Sequence, residues 1–423
     1  MKILWITNTP LGVLGEKVYG RRSNGLWMSA LLDDFVQQQE CQLVIATSIP
    51  RRETDKAEEN GVVFYGIPDQ YPLRYNENKS KNIVAWEGML RQEKPDLIQV
   101  WGTEFSHGLC ALRLASKMGI PSVIYMQGYL GSIARHYLAG LTHKELRKSI
   151  TFRDIVKQDS IEQQQKKYAL AVNREKEMLQ LAGAIICEND WCENSVRAIV
   201  PDIIAYRCPL SVNQVFTQKN WSLERVEKHS IICNASGYPL KGLHMMLRAV
   251  ALLKRDYPDI RLYVPGTPMV ADGSLQWLIR KRGYTKYIEN LIRELGVEQN
   301  IVWLGRLTHE QLAEQYAKAH VFVMSSAIEN HSSSLKEAMM VGVPSIAAAV
   351  GGVPEYVRHG ENGFLYRFEE YEIMAGYVKQ IFEDDDLANR LSRQTREDIH
   401  GLHAASDIYR RVLSIYEDIL KEG

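Results

Sequence analysis

Residues 325–355 read SSAIENHSSSLKEAMMVGVPSIAAAVGGVPE, and this stretch decides the fold of the second half of the chain. It begins where an apolar run, VFVMSS, ends, and such a run predicts a buried β-strand. Apolar residues at helical spacing follow, and Gly342 with Pro344 would end that helix. Its N-cap candidates are three consecutive serines: Ser332, Ser333 and Ser334. A strand, a loop and a helix in this order are typical of a parallel α/β sheet.

Two carboxylates lie at this strand end. Glu329 is predicted in the loop, and Glu337 is predicted in the first turn of the helix. Ligands of open α/β sheets bind at the carboxyl ends of strands, and a helix N-terminus attracts a diphosphate. Glu329 could accept hydrogen bonds from sugar hydroxyls, and Glu337 from a ribose. Glu337 alone would be explained better as an acid that the helix dipole favours.

Similar apolar runs recur along the chain and alternate with amphipathic stretches. Near-continuous apolar runs are typical of strands that are buried on both faces, so the sequence predicts an α/β protein with two parallel sheets. A polar stretch between Cys208 and His229 marks the boundary between them. The runs begin at Lys2, Leu43, Asp96, Ser122, Ala184, Ser230, Ile260, Ile301, Val321 and Pro344.

Composition excludes several classes of function. The 423 residues include 51 basic and 51 acidic residues, and this neutral balance gives no support for nucleic acid as a partner. The six cysteines form no Cys-x-x-Cys pair, so we expect no zinc site and a reduced, cytoplasmic protein. The start of the chain lacks the pattern of a signal peptide. No apolar stretch reaches the roughly 18 residues of a membrane helix, so any membrane contact would be peripheral.

One segment, residues 132–181, reads as helix without a strand. Nine Lys/Arg and six Asp/Glu lie between Leu141 and Gln180, which gives this part a net charge of +3. Two interpretations stay open. The segment is either an acceptor-side or membrane-surface element, or a solvated helical insertion, and the second is favoured.

The stretch from Glu329 to Gly352 resembles the signature of retaining nucleotide-sugar glycosyltransferases of the GT-B type, in glycosyltransferase family four. That family carries two glutamates separated by seven residues, an Ala-rich helix, Gly-x-Pro, a strand and Gly-Gly. The wording ENHSSSLKEAMMVGVP is most similar to bacterial members that build surface polysaccharides. The resemblance implies two Rossmann-like domains with a cleft between them and a C-terminal helix that crosses back. Residues 1–210, 211–400 and 401–423 would be the acceptor-side domain, the donor-binding domain and that helix.

The resemblance also implies roles for residues of the second half. Glu329 would meet the transferred sugar, Glu337 the ribose, and backbone amides from Ser332 to Leu335 the sugar or diphosphate. Lys241, in the loop CNASGYPLKG with Gly237, matches a lysine that faces the diphosphate. A solvated loop lysine is the alternative, and the neighbouring glutamate segment favours the phosphate role. Ser236 stands where the family usually has an arginine. Gly266 and Arg306 lie where the family holds the nucleotide base.

Residues of the first half are expected on the acceptor side. A Gly-rich loop after the first strand resembles a loop that closes over donor and acceptor, with Asn24 and Gly25 as its best matches. Gln127 stands where many members have a histidine. His107, in a neighbouring loop, is equally well explained as a structural or a catalytic residue.

The expected activity is transfer of a sugar from a nucleotide-diphosphate donor to a glycan or lipid-linked acceptor, without a cofactor. No Asp-x-Asp pair stands at a strand end, so we expect no metal. The pair Asp384 and Asp386 has that spacing but follows a helical stretch. Two other functions stay open: a sugar-nucleotide epimerase on the same fold, and a non-catalytic subunit that binds sugar nucleotides, for which the missing arginine at Ser236 is the argument. A purely structural α/β protein is disfavoured.

Overall fold

A computed structural model describes residues 1–20, 28–68, 83–210, 212–271, 273–402 and 405–422. The chain divides into two compact units, and neither is continuous in sequence. Unit 1 comprises residues 1–131, 167–211 and 403–423, and unit 2 comprises residues 132–166 and 212–402. The first part of the helical segment, residues 132–166, was placed in the first domain by the sequence analysis and instead groups with unit 2.

The described strands include one at each of the ten predicted apolar runs. Four further strands, β3, β4, β8 and β14, were not predicted. The strands are β1 Lys2–Ile6, β2 Gln42–Ile49, β3 Asp55–Glu59, β4 Val62–Pro68, β5 Leu97–Trp101, β6 Ser122–Tyr125, β7 Ala184–Cys187, β8 Ile204–Arg207, β9 Glu227–Ile232, β10 Arg261–Pro265, β11 Ile301–Gly305, β12 Ala319–Met324, β13 Ser345–Ala348 and β14 Phe364–Tyr366.

The helices lie between these strands, and residues 132–181 contain helices and no strand, as predicted. They are α1 Gly12–Tyr19, α2 Ser29–Gln38, α3 Ile83–Glu93, α4 Ser106–Met118, α5 Leu130–His136, α6 His143–Ser149, α7 Phe152–Lys157, α8 Ile161–Leu181, α9 Asp190–Arg197, α10 Gln214–Thr217, α11 Leu243–Leu253, α12 Leu275–Arg280, α13 Gly283–Leu295, α14 His309–Lys318, α15 Ser333–Val341, α16 Tyr371–Glu383, α17 Asp385–Leu402 and α18 Ala405–Glu422. In the described part of the chain, no helix is long and apolar enough to span a membrane.

Unit 1 contains an eight-stranded sheet in the order β3-β4-β2-β1-β5-β6-β7-β8. All neighbouring strands pair in parallel except β3 and β4, which form an antiparallel hairpin at the edge. Asn60 and Gly61 form its turn with positive φ values of 53° and 78°, as type I′ turns require. The central strands are buried along their length, which explains why their sequences are almost continuously apolar.

Helix α18 completes the core of unit 1. This agrees with the prediction that the C-terminal helix crosses back to the first domain. Its apolar face packs with residues of β1, β2 and α2 in one buried cluster. The Nε1 of Trp5 donates to the Tyr416 hydroxyl at 3.0 Å, and this hydroxyl donates to the Gln99 amide oxygen at 2.7 Å. Tyr416 therefore joins α18 to two neighbouring strands through a buried polar contact.

Unit 2 contains a six-stranded sheet in the order β11-β10-β9-β12-β13-β14, and all of its pairs are parallel. Counted from its own first strand, this is the order 3-2-1-4-5-6 of a Rossmann sheet. The order reverses between β9 and β12, which are neighbouring strands of the sheet. Such a switch point is where open α/β sheets bind ligands.

Buried polar contacts tie residues 139–150 to unit 2. The two ring nitrogens of His244 on α11 contact the Ala139 carbonyl and the Tyr284 hydroxyl, each at 2.9 Å. Burial lowers the pKa of His244 to about 4, so the ring is neutral near pH 7. The Glu145 carboxylate accepts from Tyr287 at 2.9 Å. No local sequence pattern predicts the contacts of Ala139 and Glu145, because their partners His244 and Tyr287 lie 105 and 142 residues away.

We expect Tyr416→Phe to lower the free energy of unfolding by about 1–3 kcal/mol, since Trp5 and Gln99 would each lose a buried partner. Urea unfolding followed by near-ultraviolet circular dichroism measures the change. Tyr19→Phe is the matched control, because Tyr19 is 52% exposed and should change stability by less than about 0.5 kcal/mol. Equal stability of the two variants would contradict the role of Tyr416.

Candidate functional site

The switch point of unit 2 brings together two loops that sequence analysis had singled out. Residues 233–242 follow β9, and residues 325–332 follow β12. The Ala327 amide donates to the Leu240 carbonyl at 2.7 Å, and the Ser325 hydroxyl donates to the Lys241 carbonyl at 2.9 Å. These bonds fix the two loops side by side, at the edge of the sheet where a ligand is expected.

Lys241 and Glu329 form an ion pair across the two loops. The Lys241 Nζ lies 2.6 Å from the Glu329 Oε1, and the Ser326 hydroxyl donates to the same oxygen at 2.7 Å. Their side chains are 29% and 15% exposed, so the pair is open to solvent on one side only. The ammonium group has three donors, so its bond to Glu329 leaves it able to bind a phosphate oxygen as well.

Electrostatics keep Lys241 charged. Burial by itself would favour the neutral amine, but the negative charge of Glu329 and its hydrogen bond outweigh that effect and raise the pKa of Lys241 well above its ordinary value. A cation is therefore present at the switch point at every physiological pH. This is the property that a site for a diphosphate needs.

Two glycines are required by the close approach of these loops. Gly242 has a φ of +70°, and a Cβ there would come within 1.7 Å of the Ser325 carbonyl oxygen. Gly351, with a φ of +54°, packs equally closely against the Glu329 carbonyl oxygen, and the Gly352 amide donates to that oxygen at 3.3 Å. Gly351 and Gly352 are the Gly-Gly that follows the strand in the family signature, and we expected them to allow the close approach of a ligand. Their physical role is to hold the backbone of Glu329.

Helix α15 begins where the serines predict. Ser332 is its N-cap, and its hydroxyl accepts from the Leu335 amide at 3.4 Å. The Ser332 side chain is buried, whereas Ser333 is exposed and Ser334 is half-buried. The prediction that Glu337 lies in the first turn was wrong: Glu337 is the fifth residue of the helix and belongs to the second turn. The cap at Ser332 rather than Ser334 accounts for the difference.

Glu337 lies in an unusual environment for a carboxyl group. Burial raises its pKa to about 8, while the Lys336 charge and a hydrogen bond from Tyr316 oppose that rise. The Tyr316 hydroxyl also accepts from the Asn234 amide at 2.8 Å. Asn234 is the second residue after β9, so Tyr316 links Glu337 to the loop that carries Lys241. Part of the Glu337 side chain stays exposed, which leaves it accessible to a ligand.

Gly266 and Arg306, which were expected to hold the nucleotide base, lie at the ends of β10 and β11, beside Ser236 in the loop after β9. The Ser236 hydroxyl donates to the Pro265 carbonyl at 3.1 Å and packs against Gly266, whose φ is +103°. The Gly266 amide donates to the Gly305 carbonyl at 2.7 Å, and the exposed Arg306 follows directly. Ser236 therefore ties its loop to the next strand. The Gly237 amide contacts the sulfur of Met269 at 3.3 Å.

The predicted residues of unit 1 lie in a different environment. His107 is in the first turn of α4 and not in a loop, and only 1% of it is exposed. Its Nε2 contacts the Thr7 carbonyl at 2.9 Å, and burial lowers its pKa to about 4. Gln127 is half-buried directly after β6. Asn24 and Gly25 lie outside the described residues. The functional roles of all four stay predictions.

Sequence analysis missed Ser326, Tyr316 and Asn234. Ser326 and Asn234 could have been found, because each follows a predicted strand whose end faces the site. Tyr316 lies on α14 and carries no local signal. Within the described residues, no three His, Cys, Asp or Glu side chains form a group that could hold a metal ion. The acidic pair Asp384 and Asp386 is exposed where α16 meets α17.

Comparison with known proteins places the site in a family context. Residues 215–398 match the model of the family "Glycosyl transferases group 1". N-acetyl-alpha-D-glucosaminyl L-malate synthase of Bacillus anthracis is 29% identical over 135 residues, 32% of this chain and 35% of that protein. D-inositol 3-phosphate glycosyltransferase of Streptomyces avermitilis is 32% identical over 155 residues, 37% and 32% of the two chains. The match thus spans about a third of each relative.

Solved structures extend the likeness over the whole chain at the level of fold. Sucrose-phosphate synthase from Thermosynechococcus elongatus has a TM-score of 0.72 at 16% identity and covers 100% of both chains. HepE from Anabaena, in complex with UDP-glucose, has a TM-score of 0.67 at 15% identity, over 99% and 100% of the two chains. These neighbours confirm the predicted fold class of two Rossmann-like domains. Residues 215–398, which include Lys241, Glu329 and Glu337, are similar to the group 1 glycosyl transferases.

Proposed function

We propose that this protein transfers a sugar from a nucleotide-diphosphate donor to a glycan or lipid-linked acceptor, with retention of anomeric configuration, in the synthesis of a surface polysaccharide. The observation that carries the proposal is the Lys241–Glu329 ion pair at the switch point of unit 2. It places a permanent cation and a carboxylate directly before the N-terminus of α15. One element suits a diphosphate, the second suits sugar hydroxyls, and the helix N-terminus adds main-chain donors.

The chemistry follows from this charge arrangement. The bond between the anomeric carbon and the diphosphate oxygen breaks, and a bond to the acceptor oxygen forms on the same face of the sugar. The acceptor proton passes to the departing diphosphate. Lys241 and the start of α15 stabilise the negative charge that develops there, which lowers the barrier. Glu329 positions the sugar, and Glu337 binds the ribose. Amides of residues 332–335 assist in holding the donor.

The similar proteins support a first choice of donor. HepE is described in complex with UDP-glucose. The name of the Bacillus anthracis relative contains an N-acetylglucosaminyl group. UDP-glucose and UDP-N-acetylglucosamine are therefore the donors to test first. Ser236, which bonds the Pro265 carbonyl, leaves the place of a second phosphate cation without an arginine, and this keeps a non-catalytic binding subunit as the competing function.

We expect purified protein to release nucleoside diphosphate only when donor and acceptor are both present, and at full rate in excess chelator. A coupled assay with a panel of donors, saccharides and lipid-linked glycans measures this. Turnover of donor without any acceptor would instead indicate an epimerase or a hydrolase. A donor that raises the melting temperature but never turns over would indicate a binding subunit, and loss of activity in chelator would contradict metal independence.

We expect Glu337→Ala to weaken binding of free nucleotide by about 2- to 10-fold, the equivalent of a hydrogen bond of about 0.5–1.5 kcal/mol, because Glu337 is largely protonated near pH 7. Glu329→Ala should leave free nucleotide binding nearly unchanged and reduce the preference among nucleotide-sugars. Isothermal titration calorimetry with both ligand classes separates the two effects. Glu298→Ala, at an exposed glutamate of unit 2, is the control. Equal losses for free nucleotide in both variants would refute the division of roles.

Protonation of Glu337 gives a prediction for pH. Its pKa is about 8 in the folded protein and near its ordinary value of 4.5 in the unfolded chain. The unfolded chain therefore binds fewer protons between these values, and stability falls as pH rises through that window. We expect the stability of the wild type relative to Glu337→Gln to fall between pH 5 and pH 8. Urea unfolding at several pH values measures it, with Glu298→Gln as control. A flat difference would show that burial does not perturb this carboxyl.

A further inference from the structure

An apolar patch stands exposed on the helical segment of unit 2. Phe152, Ile155 and Val156 follow one another at i, i+3 and i+4 on α7, so they share one face of that helix. They are 74%, 67% and 60% exposed. Ile150, just before α7, is 37% exposed, and Ile279 on the neighbouring α12 is 58% exposed. These five residues form the apolar patch.

The patch sits on a fixed frame. The Thr151 hydroxyl donates to the Lys281 carbonyl at 2.9 Å, and the Lys286 Nζ donates to the Ile150 carbonyl at the same distance. Thr151 and Asp154 form a reciprocal capping box at the start of α7. A Cβ on Gly283 would come within 2.9 Å of the Asp154 carboxylate, so α13 and α7 approach closely there. The exposed side chains therefore lie on a helix whose backbone is held in place by these contacts. Its backbone has little conformational freedom left to lose on binding.

Exposed positive charge flanks the patch in the sequence. Six exposed cations stand on the two segments that carry it, residues 142–158 and 279–286. The two acids of these segments are not free: Asp154 is buried in its capping box, and Glu145 accepts from Tyr287 and lies 3.3 Å from Arg248. Neither segment exposes an acidic side chain. The exposed cations are Lys144, Arg147, Lys148, Lys157, Arg280 and Arg282.

We propose that the apolar patch docks unit 2 on a membrane surface that contains anionic lipids. Large apolar side chains flanked by lysines and arginines match both parts of such a surface, the acyl boundary and the negative headgroups. A protein partner fits less well, because interfaces between proteins are depleted in lysine around their apolar centres. This docking does not depend on the proposed sugar transfer. It would bring an enzyme of this kind to acceptors that are linked to lipid.

Vesicle flotation tests the proposal with the full chain and without any sugar donor. Wild-type protein should float with vesicles of phosphatidylglycerol and phosphatidylcholine, and much less with phosphatidylcholine alone. The double variant Phe152→Asp/Ile155→Asp should bind the anionic vesicles at least about tenfold more weakly. Added salt should weaken wild-type binding, because it screens the lysines and arginines from the headgroups.

The control is Ile83→Asp/Val84→Asp on α3, since these residues are 49% and 76% exposed and the change adds the same two negative charges outside the patch. It should float like the wild type. All variants should keep the wild-type melting temperature, because only exposed residues change. Equal flotation of the double variant and the control would overturn the proposal. A wild-type protein that does not bind anionic vesicles would also overturn the proposal. This holds whether that protein is a monomer or a dimer that the double variant dissociates.

Discussion

The site depends on one ion pair between two loops that are far apart in sequence. Lys241 follows the first strand of the unit 2 sheet, and Glu329 follows the fourth, yet these strands are neighbours because the sheet order reverses between them. The topology thus creates the proximity, and the charges then hold the loops together. A bare carboxylate or ammonium in this half-buried position would be costly, so each residue makes the presence of the other possible.

The pair in turn explains the sequence around it. Gly242 and Gly351 leave no room for a side chain, because the loops pass within van der Waals distance of each other's backbone. Ser326 satisfies the same carboxylate oxygen that Lys241 contacts. The segment from Ser325 to Glu355 is therefore informative because several of its positions contribute to one local geometry. They are Ser325, Ser326, Glu329, Ser332 and Gly351. The segment's resemblance to a family signature has a physical basis in that geometry.

Local patterns predicted most of the fold, and long-range contacts account for what they missed. The buried parallel strands can be recognised in the sequence as apolar runs because both of their faces are covered. The hairpin β3–β4 was missed because β3, DKAEE, is a polar edge strand, although Asn60-Gly61 between the two strands is a strong turn signal. Strand β14 has only three residues. Residues 132–166 were assigned to the first domain although they group with unit 2. His244 and Ala139, whose contact joins them to unit 2, lie too far apart in the sequence for a local pattern to show it.

The candidate site shows the same division. Loop positions for Lys241 and Glu329 and the cap at Ser332 could be predicted, since strand ends and serine caps have local signals. The contacts of Tyr316 with Asn234 and Glu337 could not, because a tyrosine on α14 looks like any helix residue until the sheet is assembled. In the sequence, Ser236 stands where the family usually has an arginine, so a phosphate-binding cation is missing there. In the structure its hydroxyl has a definite partner in the Pro265 carbonyl.

The placement of α18 has a consequence for how the chain acquires its structure during synthesis. Unit 1 needs Tyr416 and its neighbours to close its core, but these residues leave the ribosome only after all of unit 2. All of unit 2 has been synthesised once residue 402 has emerged, whereas the core of unit 1 stays incomplete until α18 follows. Until then the apolar face of the first sheet that α18 covers stays exposed. Chaperones would bind this exposed face.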